Sequence, residues 1–188
     1  KLDMTGIYYI PRIIKAAKKG DAAILKDLIK ILSLEKIKVI SSTYFNPELS
    51  LKRGNYSKFK PNKYDLIDIK KGMRILQNSN SYDHVQAVIV KNNIVAKESY
   101  KGTKKLIQSI RKTKINSGVL IKFPKKKQDL KTDLPTIGLD TFRDCKRAGL
   151  KGIVLKNKQN IFLDNKACIN FANKNKMFIS VKWKRYLY

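Results

Sequence analysis

The residues with the clearest chemical potential lie in one segment, residues 128–138, which reads QDLKTDLPTIG. Asp129 and Asp133 stand four positions apart in it, soon after a stretch with the apolar pattern of a buried strand. A diphosphate must lose much of its negative charge before water can attack phosphorus. Proteins commonly achieve this with Mg²⁺ on one or two carboxylates and lysines on the free oxygens. The lysines close to the two aspartates are Lys122, Lys125, Lys126, Lys127 and Lys131. The segment therefore predicts a loop that handles a phosphate group or a phosphate-bound metal.

Two residues of this loop shape its backbone. Pro135 biases Leu134 toward extended geometry, so that Asp133 is presented from a stiffened turn. Gly138 lets the chain bend toward a helix that is predicted to begin near Asp140, whose first amides would face a bound phosphate. The residue types alone also allow an ordinary polar turn, in which the aspartates cap backbone amides and the lysines are solvated.

An alternating series of helices and strands is predicted to position the loop, and the fold class is α/β, a mixed sheet with hairpins and flanking helices. Helices are predicted over residues 64–77, 104–112, 141–148 and 165–175. Strands are predicted over residues 85–90, 94–98, 118–123, 153–155, 160–163 and 177–181. The first two strands form a hairpin about Asn92 and Asn93, and 153–155 with 160–163 is interpreted as a second hairpin. Asp140 is expected to cap the third helix and Gly149 to end it.

The first 45 residues differ from this series. Helices are predicted within residues 7–32, with Pro11 at a helix start and a break at Gly20 and Asp21, and a short β-type run follows at residues 37–42. The predicted organisation is residues 1–45 as the helices and one strand of an N-terminal α/β domain, 46–63 as a linker, 64–182 as the catalytic α/β domain and 183–188 as a tail.

The formal net charge is +28, and 35 of the 42 basic residues are lysine. One interpretation is an anionic partner, which makes a basic RNA- or ribosome-associated binding module the alternative function. The other interpretation is the codon usage of an AT-rich genome, since a dedicated nucleic-acid binder usually carries more arginine. Residues 182–188 form a basic and aromatic tail. Such a segment could lie at a membrane interface, stack on nucleic acid, or be a frayed terminus.

The cysteine and histidine content argues against a Cys/His zinc site. The chain has two cysteines, Cys145 and Cys168, without metal-ligand spacing, and one histidine, His84, at a predicted strand start. Both thiols are expected in the core, in a reducing compartment, and His84 at the surface or a sheet edge. No apolar run is long enough to span a bilayer, and no signal peptide is recognisable.

Several motifs together resemble the C-terminal domain of the UDP-2,3-diacylglucosamine pyrophosphatases of the LpxI type. They are the loop QDLKTDLPTIG, Asp140-Thr141, the AGLKGI of residues 148–153, the QAVIV of residues 86–90, and Ala96, Glu98, Gly102 and Thr103. The resemblance covers about residues 65–181, and extends more loosely back to Pro11 and Gly20-Asp21. The loop motif is its most specific part.

The resemblance implies hydrolysis of UDP-2,3-diacylglucosamine to 2,3-diacylglucosamine 1-phosphate and UMP, with Mg²⁺, in the lipid A pathway of Gram-negative bacteria. It implies a cytoplasmic enzyme in peripheral contact with the inner face of the inner membrane. It further implies a nucleotide-sugar lipid as substrate, no nucleic acid, and possible homo-oligomers.

The resemblance also assigns roles within the site. Asp133 is expected to be the metal ligand or the activator of the attacking water, with Asp129 as the second catalytic candidate. The expected substrate-binding residues are Lys122, Gln128, Thr136, Gln86, Glu98 and Thr103. For Glu98 the residue pattern leaves two placements open, the cleft or a solvated strand face.

Three positions depart from the family pattern: Lys104 replaces an acid after Gly-Thr, and Val85 and Lys127 each replace a glycine. The family also has an N-terminal domain with a glycine-rich opening, most of which this sequence lacks. The sequence is therefore expected to supply part of a cleft between two domains. It could represent a fragment, a natural truncation, or an inactive relative that binds the lipid.

Overall fold

A computed structural model describes residues 3–78, 85–125 and 128–183, with the backbone alone at residues 21–22. The predictions for His84, Lys126, Lys127 and residues 184–188 fall outside these ranges. No helix in the described part of the chain is long and apolar enough to cross a membrane.

The structure is built on a six-stranded mixed sheet, which confirms the predicted fold class. The strands are β1 (Gly54–Asn55), β2 (Ala87–Lys91), β3 (Ile94–Lys97), β4 (Val119–Lys122), β6 (Gly152–Lys156) and β8 (Phe178–Lys182), in the spatial order β1-β8-β6-β4-β2-β3. The neighbours β4, β6 and β8 are parallel. Strand β2 pairs antiparallel with both β4 and β3, so the predicted hairpin about Asn92 and Asn93 is confirmed. Strand β1 pairs antiparallel with β8, although it lies in the stretch predicted to be a linker.

Helices cover both faces of this sheet. Helix α4 (Lys63–Asn78) packs on one face, while α5 (Gly102–Gln108), α6 (Leu139–Arg147) and α7 (Asn165–Lys174) pack on the other. The central strands are continuously apolar because side chains that alternate between the faces are buried on each side. Leu120 enters the core under α6 and α7, whereas its neighbour Ile121 enters the core under α4. Each fully buried aliphatic side chain of this kind contributes about 1.5–3 kcal/mol.

The close contact between α4 and the sheet depends on Gly72. A Cβ atom added to Gly72 would lie 2.5 Å from Cδ1 of Ile121 and 3.2 Å from Cγ2 of Val88. The absence of a side chain at Gly72 therefore lets the helix lie directly on β2 and β4.

The N-terminal region is helical, with α1 (Met4–Ala17) and α2 (Asp21–Leu34) on either side of Gly20, as predicted. Pro11 lies inside α1 and not at its start, because Asp3 caps a helix that begins seven residues earlier than the proline. The prediction of a β-type run at residues 37–42 is wrong. Residues 37–41 are irregular and are followed by the short helix α3 (Ser42–Phe45), since no strand among the described residues lies beside them to supply backbone partners.

The second predicted hairpin is also wrong. Strand β7 (Ile161–Phe162) does not pair with β6; it forms a separate two-stranded parallel sheet with β5 (Thr136–Ile137). The reason is that the Ile161 amide donates to the carbonyl oxygen of Pro135 at 3.0 Å and the Leu163 amide to that of Ile137 at 2.8 Å. The chain after β6 therefore turns away from the main sheet and meets the candidate loop.

Helices α6 and α5 differ from the sequence prediction at their ends. Gly138, in extended geometry, precedes α6, so Asp140 lies within the first turn and forms a 2.8 Å ion pair with Arg143 instead of capping the helix. Gly149 does follow the end of this helix, with a φ of 73° that favours glycine. Helix α5 begins two residues earlier and ends four residues earlier than predicted, at Gln108.

Candidate active site

The loop QDLKTDLPTIG, residues 128–138, follows β4 along the chain and contains β5. A single turn closes its centre, where the Asp133 amide donates to the carbonyl oxygen of Asp129 at 3.0 Å. In α/β sheets the carboxyl ends of parallel strands are the usual place for ligands. The fold thus places the aspartates and lysines of the loop at an edge suited to binding.

The two aspartates have different surroundings. Asp129 is exposed, and its Oδ1 accepts a 2.7 Å hydrogen bond from the amide of Lys131, as in an ordinary polar turn. Asp133 is half-buried, and its carboxylate has no hydrogen bond or ion pair with any residue of the described chain. Asp133 is therefore the carboxylate of this loop that is available to a substrate, a water molecule or a metal.

Glu98 occupies a buried position beside the loop. Its Oε2 accepts from the amides of Gln86 at 2.8 Å and Ala87 at 3.0 Å, and its Oε1 accepts from the hydroxyl of Thr103 at 2.5 Å. Both carboxylate oxygens are therefore engaged with the protein. The solvated strand face, one of the two placements that the sequence left open, is wrong, because Glu98 is buried and holds the start of β2 and the first turn of α5 together.

Lys122, the last residue of β4, lies between this cluster and the loop. Its Nζ donates a 3.1 Å hydrogen bond to the carbonyl oxygen of Thr136. Burial lowers the pKa of Lys122, and the nearby charge of Glu98 opposes that shift. A partly buried ammonium group is less screened by water, so that it attracts a phosphate oxygen more strongly than a fully solvated lysine does, and the charge of Glu98 favours its protonated form.

Gln128 and Thr132 complete the polar lining of the loop. Oε1 of Gln128 accepts from the amide of Lys125 at 2.8 Å, which fixes the side chain. Its Nε2 and the Oγ1 of Thr132 are buried, and neither has a hydrogen-bond partner among the described residues. A buried polar group without a partner costs about 1–3 kcal/mol. Both atoms can donate a hydrogen bond, and phosphate oxygens are acceptors.

Asn160 is a buried polar residue of this site that was not predicted. Its Oδ1 accepts from the amide of Lys156 at 2.8 Å, and its Nδ2 donates to the carbonyl oxygens of Lys122 at 3.0 Å and Pro135 at 3.4 Å. It stands in a stretch rich in asparagine and lysine, where no spacing distinguishes it. The position of Asn160 becomes apparent only from the pairing of β7 with β5.

The structure thus connects most of the predicted site residues. Hydrogen bonds join Gln86, Glu98 and Thr103, and Lys122 joins that cluster to Thr136. Asp129 and Asp133 share one turn of the same loop. The side chain of Gln128 accepts from the backbone of Lys125, three residues before the loop. Within the described ranges, no three His, Cys, Asp or Glu side chains form a group that could hold a metal ion by themselves.

A mixed α/β sheet with a loop of aspartate and lysine at the carboxyl end of its parallel strands is an arrangement typical of α/β enzyme domains. The family model described as the LpxI C-terminal domain matches residues 52–180. A curated relative, the UDP-2,3-diacylglucosamine pyrophosphatase LpxI of Caulobacter vibrioides, is 30% identical over 186 aligned residues. That alignment covers 94% of this chain and 66% of the relative, so the chain spans slightly less than two thirds of the relative's length. The chain belongs to the LpxI family.

Proposed function

We propose that this chain hydrolyses the pyrophosphate bond of UDP-2,3-diacylglucosamine, releasing UMP and 2,3-diacylglucosamine 1-phosphate in lipid A synthesis. Membership of the LpxI family and the name of the Caulobacter relative support this substrate. The structural observation that carries the proposal is the carboxylate of Asp133. It is half-buried, unpaired within the described chain, and set in a loop whose other aspartate is occupied by the backbone.

In this proposal each side chain has a separate task. A water oxygen attacks one phosphorus, the bond from that phosphorus to the bridging oxygen breaks, and the bridging oxygen leaves with the other phosphate. Asp133 accepts the proton of the water, or the proton passes to solvent where Asp133 would instead hold the metal. Lys122 stabilises the negative charge that grows on the phosphate oxygens. Gln128, Thr136, Gln86 and Thr103 line or support the substrate-binding surface around these two residues.

We further propose Mg²⁺ as cofactor. The loop offers only two carboxylates, and Asp129 already binds the amide of Lys131. Mg²⁺ is commonly held by one or two carboxylates together with water and substrate phosphates, so the donor set fits this ion when the diphosphate supplies the remaining oxygens. When bound, Mg²⁺ would neutralise charge on the diphosphate. Asp133 is its proposed ligand.

The acyl chains of the proposed substrate reside in a lipid phase. We therefore propose that the protein acts in peripheral contact with the cytoplasmic face of the inner membrane. Its net charge of +28 would favour an anionic lipid surface.

The test is release of UMP from UDP-2,3-diacylglucosamine in mixed micelles with Mg²⁺, with the Caulobacter relative as the positive control. Asp133→Asn is expected to lower kcat by at least about 100-fold, in the range of general acid–base contributions. Asp129→Asn is expected to have a smaller effect. The matched control is Asp27→Asn, which removes an aspartate from α2, where its partner is Arg12.

Full activity of Asp133→Asn would overturn the proposed role of this carboxylate. Substrate binding without UMP release by the unmodified chain would overturn the hydrolase proposal and would favour a relative that binds the lipid only. Activity that persists in EDTA without Mg²⁺ would contradict the cofactor proposal alone.

A further inference from the structure

Asn160 joins three separate segments of the fold through one buried side chain. It is 2% exposed and lies in the turn between β6 and β7. Its three hydrogen bonds reach Lys122 at the end of β4, Lys156 at the end of β6, and Pro135 just before β5. These are the strand ends and the loop that form the candidate active site.

The two hydrogen bonds that Asn160 donates connect the end of β4 at Lys122 with the loop at Pro135. Lys122 carries the ammonium group that binds the Thr136 carbonyl, and Pro135 immediately precedes Thr136. Asn160 therefore binds the backbone on both sides of the Lys122–Thr136 contact. Pro135 is also two residues from Asp133, and its carbonyl oxygen accepts a second hydrogen bond from the amide of Ile161.

The loop needs such a connection because β5 is not part of the main sheet. Strand β5 has two residues and pairs only with β7 among the described strands. The main-chain ladder of the large sheet therefore does not fix the distance between Asp133 and Lys122. Side-chain hydrogen bonds from buried residues can fix it, because a buried amide that loses its partner destabilises the folded arrangement.

We propose that Asn160 is a positioning residue, which holds the Asp133–Thr136 segment in register with Lys122 for the hydrolytic step. The inference rests on the proposed function for its catalytic part. The mechanical part, the attachment of the loop to the sheet, is a property of the folded chain and can be measured without substrate.

The mechanical part is tested by limited proteolysis with trypsin at Lys131, an exposed residue of the loop. Asn160→Ala is expected to speed cleavage after Lys131 at least about fivefold under conditions in which circular dichroism shows the chain to be folded, because a local opening becomes easier. The matched control is Asn173→Ala. That variant removes another side-chain bond to the backbone, from the amide of Lys58 to Oδ1 at 2.7 Å, away from the site.

The catalytic part is tested by the split between kcat and KM. Asn160→Ala is expected to lower kcat at least about tenfold and to change KM less than threefold. Asn173→Ala, compared at a temperature where both variants are fully folded, is expected to keep kcat. In the Asp133→Asn background, Asn160→Ala is expected to lower kcat no further, since residues that act as a unit are not additive.

The two parts fail in different ways. Equal cleavage rates at Lys131 in Asn160→Ala and in the unmodified chain would overturn the positioning role itself. Faster cleavage with an unchanged kcat would also overturn the proposal, because the attachment would then be structural only. Faster cleavage in a chain whose unmodified form releases no UMP would overturn the proposed function and, with it, the catalytic part of this inference.

Discussion

The ammonium group of Lys122 and the carbonyl oxygen of Thr136 lie 3.1 Å apart and form a hydrogen bond from the end of β4 to the start of β5. This contact spans the two sheets of the structure, because β4 is central in the large sheet and β5 belongs to the small one. A lysine at the end of a buried strand thereby reaches the loop that carries Asp133. The same ammonium group is near Glu98, whose carboxylate binds the start of β2 and the first turn of α5. Lys122 therefore links these two elements to the loop.

Replacement of Lys122 by methionine keeps most of the side-chain volume and removes the charge. We expect kcat/KM for UMP release to fall about 10- to 100-fold, which corresponds to the loss of a charge-assisted hydrogen bond of about 1.5–3 kcal/mol. Lys122→Arg is expected to recover part of the activity, since the charge returns with different geometry. Steady-state kinetics measure the effect. The control is Lys166→Met on the exposed surface of α7, and equal activity of Lys122→Met and this control would contradict the assignment.

Glu98 is expected to influence the site through Lys122. The charge of Glu98 raises the pKa of Lys122 against the effect of burial. Glu98→Gln removes that charge while its amide can still bond the Gln86 amide and the Thr103 hydroxyl. The pKa of Lys122 should therefore fall, and the alkaline limb of the kcat/KM profile should move to lower pH. The exposed Glu48→Gln serves as the control, and coincident alkaline limbs in the two variants would contradict the coupling.

A comparison of Glu98→Ala with Glu98→Gln separates the charge of Glu98 from its hydrogen bonds. Glu98→Ala leaves the buried amide of Ala87 and the amide of Gln86 without their acceptor. Each orphaned group costs about 1–3 kcal/mol, so Glu98→Ala should be clearly less stable than Glu98→Gln in urea titrations. Equal midpoints for the two variants would show that these hydrogen bonds contribute little.

The sequence predicted the parts of this fold that depend on local pattern. The runs that became β2, β4, β6 and β8 are largely apolar because both faces of the sheet are covered, and they were placed within a residue or two. The loop was found through its aspartates and lysines. The family resemblance ranked Asp133 above Asp129; within the described ranges the Asp133 carboxylate has no hydrogen bond or ion pair, whereas that of Asp129 accepts one from the Lys131 amide.

The parts that sequence did not predict depend on contacts between distant segments. Strand β5 has two residues, too short for any periodicity. The sequence predicted β7 as a strand but paired it with β6, whereas β7 pairs with β5 because Pro135 and Ile161 meet in space. Strand β1 is equally short and is held by β8. Asn160 contacts Lys122 from 38 positions away, a separation at which residue type carries no signal.

The two cysteines are expected to be unreactive in the folded chain. Burial, followed by the charge of Asp164, raises the pKa of Cys168 to about 11, and its Sγ donates to the carbonyl oxygen of Leu163 at 3.3 Å. Burial also raises the pKa of Cys145. At pH 8 only about 0.1% of Cys168 would be thiolate, the reactive form. Neither thiol should react with Ellman's reagent over an hour in buffer, and both should react at once in guanidinium chloride.

The Cys168→Ala variant identifies the residues in that experiment. In this variant one thiol per chain should react with Ellman's reagent in denaturant, and none should react in buffer. If one thiol of the native unmodified chain reacts rapidly and none does in Cys168→Ala, Cys168 is accessible. That result would contradict the packing of α7 on the sheet.

Asp68 is a buried carboxyl group, 8% exposed, on α4, the helix that packs on the face of the sheet opposite α5, α6 and α7. Burial raises its pKa above 3.8, and the charge of Asp65 acts in the same direction. Hydrogen bonds from the backbone of Asn93 and Asn92, together with the charge of Lys71, act against the shift. The folded chain therefore holds a proton on Asp68 more tightly than the unfolded chain does.

This shift fixes the sign of a pH effect on stability. As the pH rises above 3.8 toward the raised pKa, Asp68 ionises more easily in the unfolded state, so its contribution to the free energy of unfolding decreases and stays reduced at neutral pH. Asp68→Asn imitates the protonated side chain. The variant should match the unmodified chain near pH 4 and be more stable at pH 7, as measured by urea denaturation at both pH values. A variant less stable at pH 7 would show that the hydrogen bonds from Asn92 and Asn93 to the charged carboxylate outweigh its desolvation.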